Sequence, residues 1–585
     1  MDFLDLSSVP AGSQFEADLV IVGSGPVGLA IVEEFRDSPV SVLVLESGRF
    51  SEEAQFEALN VTESLAEPRR DAVTRERRIR IHASSAPRWV DEAQPFGVRC
   101  RVFGGSSQLW AGKSATFDRI VFQKRDWVPH SGWPIAYETV APYFDRAAQL
   151  LNLGPNCYDD RLWTMIGRRP QPAIDRSRMH SFFWQFSRSR VDKLDVMRFG
   201  RDFRHVKAGN VRVILNATVT NIDTNETGTM FEALDVSTIE GARSRVRGKF
   251  VVLACGAIET ARLMLASRRQ NRDGVGNARG VVGRFLMDHP GSKLGSFGTD
   301  DAEFVENCFG FCNVRHGGRA HMYMHGLSLS EETQRREGLL NCAIYMLAER
   351  AHDDPLDALK RILRRESVAV ASDLIAIAAG APMVGKGLAK RLLQSELIPE
   401  FAIDRVVDLV ISAYPNFVAA EYLSSGLPHK LIGISVDGIT EQAPDPANRV
   451  SLADRSDKLG VPLARVNWRV GDVERRSLAR AGQIAAVELR RAGLPVPTLE
   501  NWVAEDRLDE GIIVDMCHTG GTTRMSDDPS QGVVDANCRV HGISGLYVAG
   551  ASILPTMGHA NPTLMIIALA IRLADALKLQ LTMKQ

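Results

Sequence analysis

The apolar positions change period along the chain, and each change marks an element. Ala17 to Val22 (ADLVIV) is an almost unbroken apolar run, the pattern of a strand covered on both faces. A glycine turn follows, then the helical run LAIVEEFRD, then a second apolar run, VSVLVL, ending at Glu46. From Asn210 to Val251 apolar and polar residues alternate in three stretches, NVRVILNATVTNI, TMFEALDVSTI and RVRGKFVVLACGA. That alternation predicts an antiparallel ribbon lying as a lid over the first unit. Near the C-terminus a strand is expected over Gly545 to Ala549, and Asn561-Pro562-Thr563 opens a final apolar helix. The apolar stretch Leu374 to Val384, flanked by arginines and lysines, is too short to span a bilayer, which takes about 20 residues. It reads as inserted helices covering a domain or an oligomer contact, with a membrane-surface hairpin as the sharper alternative.

The first turn reads Gly23-Ser24-Gly25-Pro26-Val27-Gly28. Strand, glycine turn, helix, strand and acid in this order form the dinucleotide fingerprint in its required context. Gly23 permits the tight turn, Gly25 lets the backbone approach a pyrophosphate, and Gly28 lets helix and strand pack closely. The helix N-terminus offers N–H groups and a positive dipole end to phosphates. Glu46 can accept from ribose hydroxyls. The motif alone fits FAD and NAD equally. A second loop, Gly104-Gly105-Ser106-Ser107, lacks bulk and supplies N–H and hydroxyl donors, so it can wrap a polyanion or lie against a planar ring.

In the C-terminal stretch, His518 sits in a Gly/Thr-rich loop and Asn561 precedes the last helix. A neutral imidazole, with an ordinary pKa of about 6.5, suits proton acceptance near neutrality. An amide can hold the same oxygen without adding charge.

The GSGPxG start, the GGSS loop and a terminal block of HxxGTxRM, GVVD, GLYV and NPT type together resemble the glucose–methanol–choline (GMC) family of FAD-dependent alcohol oxidoreductases. Arg125 to Ala147 and Glu441 to Trp468 are similar to the branch acting on sugars, cyclitols and glycosides, pyranose oxidases included. The likeness spans roughly 15–60, 95–150, 205–300, 440–475 and 510–580 and is poor from about 300 to 435. It implies an α/β (α+β mixed) fold with a discontinuous Rossmann-like FAD-binding domain (1–125, 205–300 and 510–585). The substrate domain would take 126–204 and 301–509, built on an antiparallel sheet backed by helices, with a helical insertion at about 355–396. It implies His518 as catalytic base and Asn561 as its partner in oxidising a secondary alcohol of a sugar, glycoside or cyclitol to a ketone. Val219 would face the adenine and Ala254 the AMP half. Gly550 and Ala551 would approach the flavin diphosphate or ribityl chain, although many relatives carry Asp at the place of Gly550. Pro562 and Thr563 would bring the last helix's N-terminus to the flavin N1/C2 carbonyl. Met516, His559 and Gln442 are candidate pocket residues, and structural roles are expected for His289 and His541. Fungal pyranose oxidases attach FAD through a histidine before a tryptophan. Leu109 stands before Trp110 here, so non-covalent FAD is expected. The alternatives are a GMC-type enzyme for a sterol or natural-product alcohol, or a flavin monooxygenase.

Composition adds limits. The chain has 585 residues with 45% hydrophobic and 24% charged residues, ordinary for a globular protein. Its net charge of −1 offers no field for nucleic acid. Eight scattered cysteines, with the pair Cys308 and Cys312 lacking a second half, predict neither disulfides nor a metal site. The acidic N-terminus shows no signal peptide, so a cytoplasmic protein without a transmembrane segment is expected. The expected partners are a small-molecule alcohol and an electron acceptor, oxygen or a quinone or carrier, with a homo-oligomer as an option.

Overall fold

The computed structural model describes residues 1–65, 94–165, 174–192, 195–350, 370–380 and 431–582, with isolated helical positions at 358, 362, 405, 408–409 and 411–412. The insertion expected at about 355–396 falls largely outside the described residues, and the helix Val370–Ala379 is the main part within them. Among the described residues no helix is long and apolar enough to cross a membrane.

Two eight-stranded sheets carry the molecule. In the first, the order is Asp2–Asp5, Val211–Leu215, Val42–Leu45, Gln14–Val22, Arg243–Leu253, Phe231–Ser237 and Thr218–Thr224, with Leu546–Val548 also paired to Arg243–Leu253. The pairings from Asp2–Asp5 across to Leu546–Val548 are parallel. Leu19, Val20 and Ile21 are completely buried at its centre. The helix Pro26–Phe35 packs on the last helix, Thr563–Thr582, so the two ends of the chain close one layer.

The expected ribbon over 210–251 is therefore no separate lid. The first stretch breaks at Asn216, which adopts φ 54° and accepts Ile239 N–H through Oδ1 at 2.8 Å. Asparagine tolerates this left-handed conformation. Residues before the break join the parallel strands, and residues after it form the antiparallel flank of the same sheet.

The second sheet is antiparallel throughout: Thr498–Leu499, Gly291–Phe297, Leu431–Thr440, Cys342–Arg350, Arg319–Leu329, Met179–Phe186 and Lys113–Ser114, with Phe311–His316 beside Arg319–Leu329. Period-2 geometry divides its residues. Cys342, Ile344 and Met346 point into a core shared with the helices Asp472–Arg491 and Thr299–Phe309, while Ala343 and Tyr345 join the larger core on the other face. Two boundaries differ from expectation. Gly291–Phe297 and Lys113–Ser114 belong to this sheet rather than to the nucleotide unit, because Leu294 and Phe297 fill its helix-side core and Lys113–Ser114 pairs with Met179–Phe186. None of the eight cysteines is in a disulfide.

Between the sheets lies a fully buried ion pair, Arg125 with Glu441. It is bidentate, with Nη2 to Oε2 at 2.9 Å. Glu441 also accepts Asn341 N–H at 2.8 Å, and its own N–H donates to the Asn341 carbonyl at 2.9 Å. Asn341 Oδ1 accepts His559 N–H at 3.0 Å, two residues before Asn561. Removing one charge strands the other, so Arg125→Met or Glu441→Leu alone should cost about 3–5 kcal/mol of stability. The double variant should recover most of that loss. Urea denaturation of the three proteins, read by tryptophan fluorescence, checks it; single variants as stable as the parent would contradict it.

Candidate active site

One cavity of about 460 Å³ runs between the sheets and touches both ends of the chain. At one end the strand Gln14–Val22 turns at Gly23, whose φ of +101° and 2.7 Å approach of an added Cβ to the Ala254 carbonyl oxygen both require glycine. A Cβ on Gly28 would stand 2.1 Å from the Gly23 carbonyl oxygen, whereas one on Gly25 would meet open space. The opening thus lies in front of the helix N-terminus. Glu46 accepts Ser24 Oγ–H at 2.5 Å, Ser24 N–H at 3.1 Å and Gly48 N–H at 2.9 Å. Burial raises its pKa in spite of these bonds.

The second glycine loop is laid against the first. Gly104 N–H donates to the Ser24 carbonyl at 3.1 Å, and a Cβ on Gly105 would come 3.1 Å from Gly25 Cα. Behind it, Arg198 Nη1 donates to the carbonyls of Ser107, Gln108 and Trp110. Arg198 is a site residue that sequence reasoning missed, since no local pattern joins it to the loop. Ser24, Gly25, Pro26, Val27, Gly105, Ser106, Ser107, Val219, Ala254, Gly550, Ala551, Pro562 and Thr563 all line the cavity, and Gly28 and Gly104 shape it from behind.

At the other end, His518 Nε2 lies 3.1 Å from Asn561 Nδ2. The other nitrogen, Nδ1, lies 2.9 Å from His289 Nδ1. Cys517, just before His518, sits at φ 60°, a left-handed turn that a non-glycine residue rarely takes. The turn is held by Asp288, whose Oδ1 accepts the backbone N–H groups of His289 at 2.7 Å, Met516 at 3.0 Å and His518 at 3.1 Å. Burial and the neighbouring Asp515 push the Asp288 carboxyl well above its usual range. Burial, His289 and Lys113 hold the His518 pKa well below 6.5, so the ring is neutral near pH 7. The free side-chain oxygen of Asn561 is buried without a partner.

Three expectations change. His289, read as structural, meets His518 directly; the two segments lie far apart in sequence and the contact leaves no local signal. His559 and Gln442 do not line the cavity. His559 is buried behind it, its Nδ1 2.6 Å from Asn341 Oδ1 and its ring 4.4 Å from Phe182, with burial pushing its pKa down to about 3. Gln442 Oε1 is occupied by Asp288 N–H at 3.0 Å and Trp468 Nε1–H at 2.7 Å, so it braces the turn before His518 instead. Met516 does line the cavity.

Residues 444–570, which carry both His518 and Asn561, match the GMC oxidoreductase family. Paromamine 6'-oxidase from Streptomyces fradiae is 23% identical over 596 residues, covering 96% of this chain and 91% of that one. A C-glycoside 3-oxidase from Arthrobacter globiformis is 33% identical over 129 residues, 22% of this chain and 23% of that one. Among solved structures, an Aspergillus oryzae formate oxidase variant studied for FAD modification aligns over 98% of this chain and 99% of its own, at 16% identity and a TM-score of 0.51, a likeness of fold. The chain thus carries the C-terminal domain of a GMC oxidoreductase and is similar along its length to oxidases and dehydrogenases of alcohols and sugars.

Proposed function

We propose that the chain oxidises a secondary alcohol of a sugar, glycoside or cyclitol to a ketone, with His518 taking the hydroxyl proton. The observation that carries this is the His518–Asn561 pair at one end of a cavity whose other end is the double glycine loop. Bound FAD supplies the hydride acceptor. The residues present fit it: open space in front of Gly25 and the helix N-terminus for the pyrophosphate, Glu46 for the ribose, and the end of the helix Thr563–Thr582 for the ring's carbonyl edge.

The proton's path fixes tautomers. To accept at Nε2, neutral His518 must carry its hydrogen on Nδ1. That hydrogen then points at His289 Nδ1, which makes His289 the acceptor and puts its own hydrogen on Nε2. His289 therefore positions the base and shares the charge that forms. Asn561 donates through Nδ2 and, with the substrate in place, holds the alcohol oxygen that His518 deprotonates. Bound FAD and substrate would fill the cavity in front of these half-buried groups and displace water from them.

A second reading is favoured by the apolar residues at the catalytic end, among them Phe186, Met324, Leu347 and Ile439: a hydrophobic alcohol such as a sterol or natural-product intermediate. Anaerobic flavin bleaching by a panel of glycosides and cyclitols against hydrophobic alcohols decides between them. Bleaching by the carbohydrates is expected; bleaching by the hydrophobic set alone would overturn the first reading. Admission of air afterwards identifies oxygen as acceptor if colour returns within seconds, or a quinone or carrier if it does not.

His518→Ala should slow anaerobic flavin reduction by about 10²–10⁴-fold. His289→Gln should slow it by about 10–100-fold with little change in half-saturation, because the base is misaligned rather than lost. In the parent, the acid limb of the reduction rate should lie below pH 6.5, since His518 stays neutral down to there. A limb at or above 6.5, or unchanged rates in the variants, would remove His518 from the role of base.

Leu109 lines the cavity where fungal pyranose oxidases carry the linking histidine. Acid precipitation should leave all the flavin in the supernatant; flavin in the pellet would show a covalent bond.

A further inference from the structure

Lys113 occupies the short strand Lys113–Ser114 at the edge of the antiparallel sheet and lines the same cavity as His518 and Asn561. Its ammonium nitrogen stands 4.0 Å from the centroid of the Trp184 ring and 4.2 Å from that of Tyr345. These rings come from two different strands, Met179–Phe186 and Cys342–Arg350, so the lysine head is held in a built aromatic cradle. The two rings take up part of the ammonium's N–H surface and leave a donor for a ligand in the cavity. Among the described residues no carboxylate lies within ion-pair distance of it, and no hydrogen-bond acceptor reaches it. The mechanism above gives it no part.

The surrounding charges compensate this cation only at a distance. Asp437, on the strand Leu431–Thr440, is the carboxylate it feels, and that group accepts a hydrogen bond from Ser435. The imidazoles of His518, His289 and His559 also feel Lys113, and burial keeps all three neutral near pH 7. Glu46 and Glu259 line the cavity at the nucleotide end and are tied up there, Glu46 by Ser24 and Gly48, Glu259 by Arg99 and Arg101. That end of the cavity thus holds one cationic side chain, held by two rings and lining the space beside His518 and Asn561.

We propose that Lys113 is the recognition site for a carboxylate on the substrate, so that the enzyme acts on acidic carbohydrates such as uronic-acid glycosides in preference to neutral sugars and against amino sugars. This rests on the carbohydrate-oxidising reading and narrows it. A carboxylate forms a charge-assisted hydrogen bond with the ammonium in a dry pocket, whereas an amino sugar's ammonium meets a like charge.

The test uses the FAD-loaded enzyme with three matched probes: methyl β-D-glucuronoside, methyl β-D-glucoside and methyl β-D-glucosaminide. Two readouts are taken for each, anaerobic flavin bleaching and the ligand-induced shift of the oxidised flavin spectrum. The glucuronoside should half-saturate at a concentration about tenfold or more below that of the glucoside, with the glucosaminide weakest. Lys113→Met and Lys113→Gln should abolish that order, and an order kept in both variants would overturn the proposal. The parent alone gives an independent arm that does not depend on the variants folding. Burial lowers the Lys113 pKa to about 7, so the preference for the glucuronoside should be full below pH 7 and fade above it as the ammonium loses its proton. A preference constant from pH 6 to pH 9 would overturn the proposal. If no sugar bleaches the flavin but the glucuronoside still shifts its spectrum in a Lys113-dependent way, the carboxylate site stands and the carbohydrate-oxidising reading falls.

Discussion

The geometry of the active end hangs on one oxygen. Asp288 Oδ1 gathers the backbone N–H groups of His289, Met516 and His518, and these belong to two segments far apart in the chain. Hydrogen bonds to a charged group contribute about 1.5–3 kcal/mol each. Burial instead favours the protonated acid here, so part of that gain is traded for a carboxyl that can sit in a dry site beside Asp515. What the arrangement achieves is position. It brings the two imidazoles within 2.9 Å and supports the left-handed turn at Cys517 that orients His518. Gln442 then fixes Asp288 from behind, through its N–H.

The antiparallel sheet does the corresponding work for the substrate side. Along Cys342–Arg350, alternate residues either fill the helix-backed core or face the cavity. A shift of register by one residue would exchange Ile344 and Tyr345, exposing a core side chain and removing one wall of the Lys113 cradle together. Stability of the fold and shape of the pocket are therefore set by the same register. Gly326 shows how tight that register is, since a Cβ there would stand 2.6 Å from the Trp184 ring.

Much of the nucleotide end was legible because its requirements are local. A turn with φ of +101° against a neighbouring backbone admits only glycine, so Gly23 is visible as a letter. The same holds for the strand–turn–helix order and for the apolar last helix. The catalytic end was only half legible. His518 and Asn561 stand in recognisable surroundings, but His289, Arg198, Asn341 and Lys113 act through partners on other elements, and nothing in their neighbours announces it. His559 and Gln442 fail for the reverse reason. Sequence proximity to Asn561 put His559 in the pocket, while a hydrogen bond to Asn341 turns it away. The 210–251 stretch was read as one ribbon because alternation continues through Asn216, and only the backbone there shows the change of partner.

The electrostatics of the base follow from dryness more than from any single partner. Burial heads the causes that depress His518, His289 and His559, and each sits near the cationic Lys113. An imidazole so placed stays neutral, with one ring nitrogen unprotonated, but its conjugate acid is costly. On the proposed reading, oxidation of an alcohol would resolve this, because the hydroxyl proton and the hydride leave the same molecule. The positive charge arriving on His518 would be matched by the hydride that bound FAD would accept, so that a group whose charged form is disfavoured in the resting site would act as a base only while the reaction is under way. Among the described residues the partner of His518 Nδ1 is the His289 ring at 2.9 Å, and on the proposed reading this neutral imidazole would stabilise the resting imidazolium less than a carboxylate would.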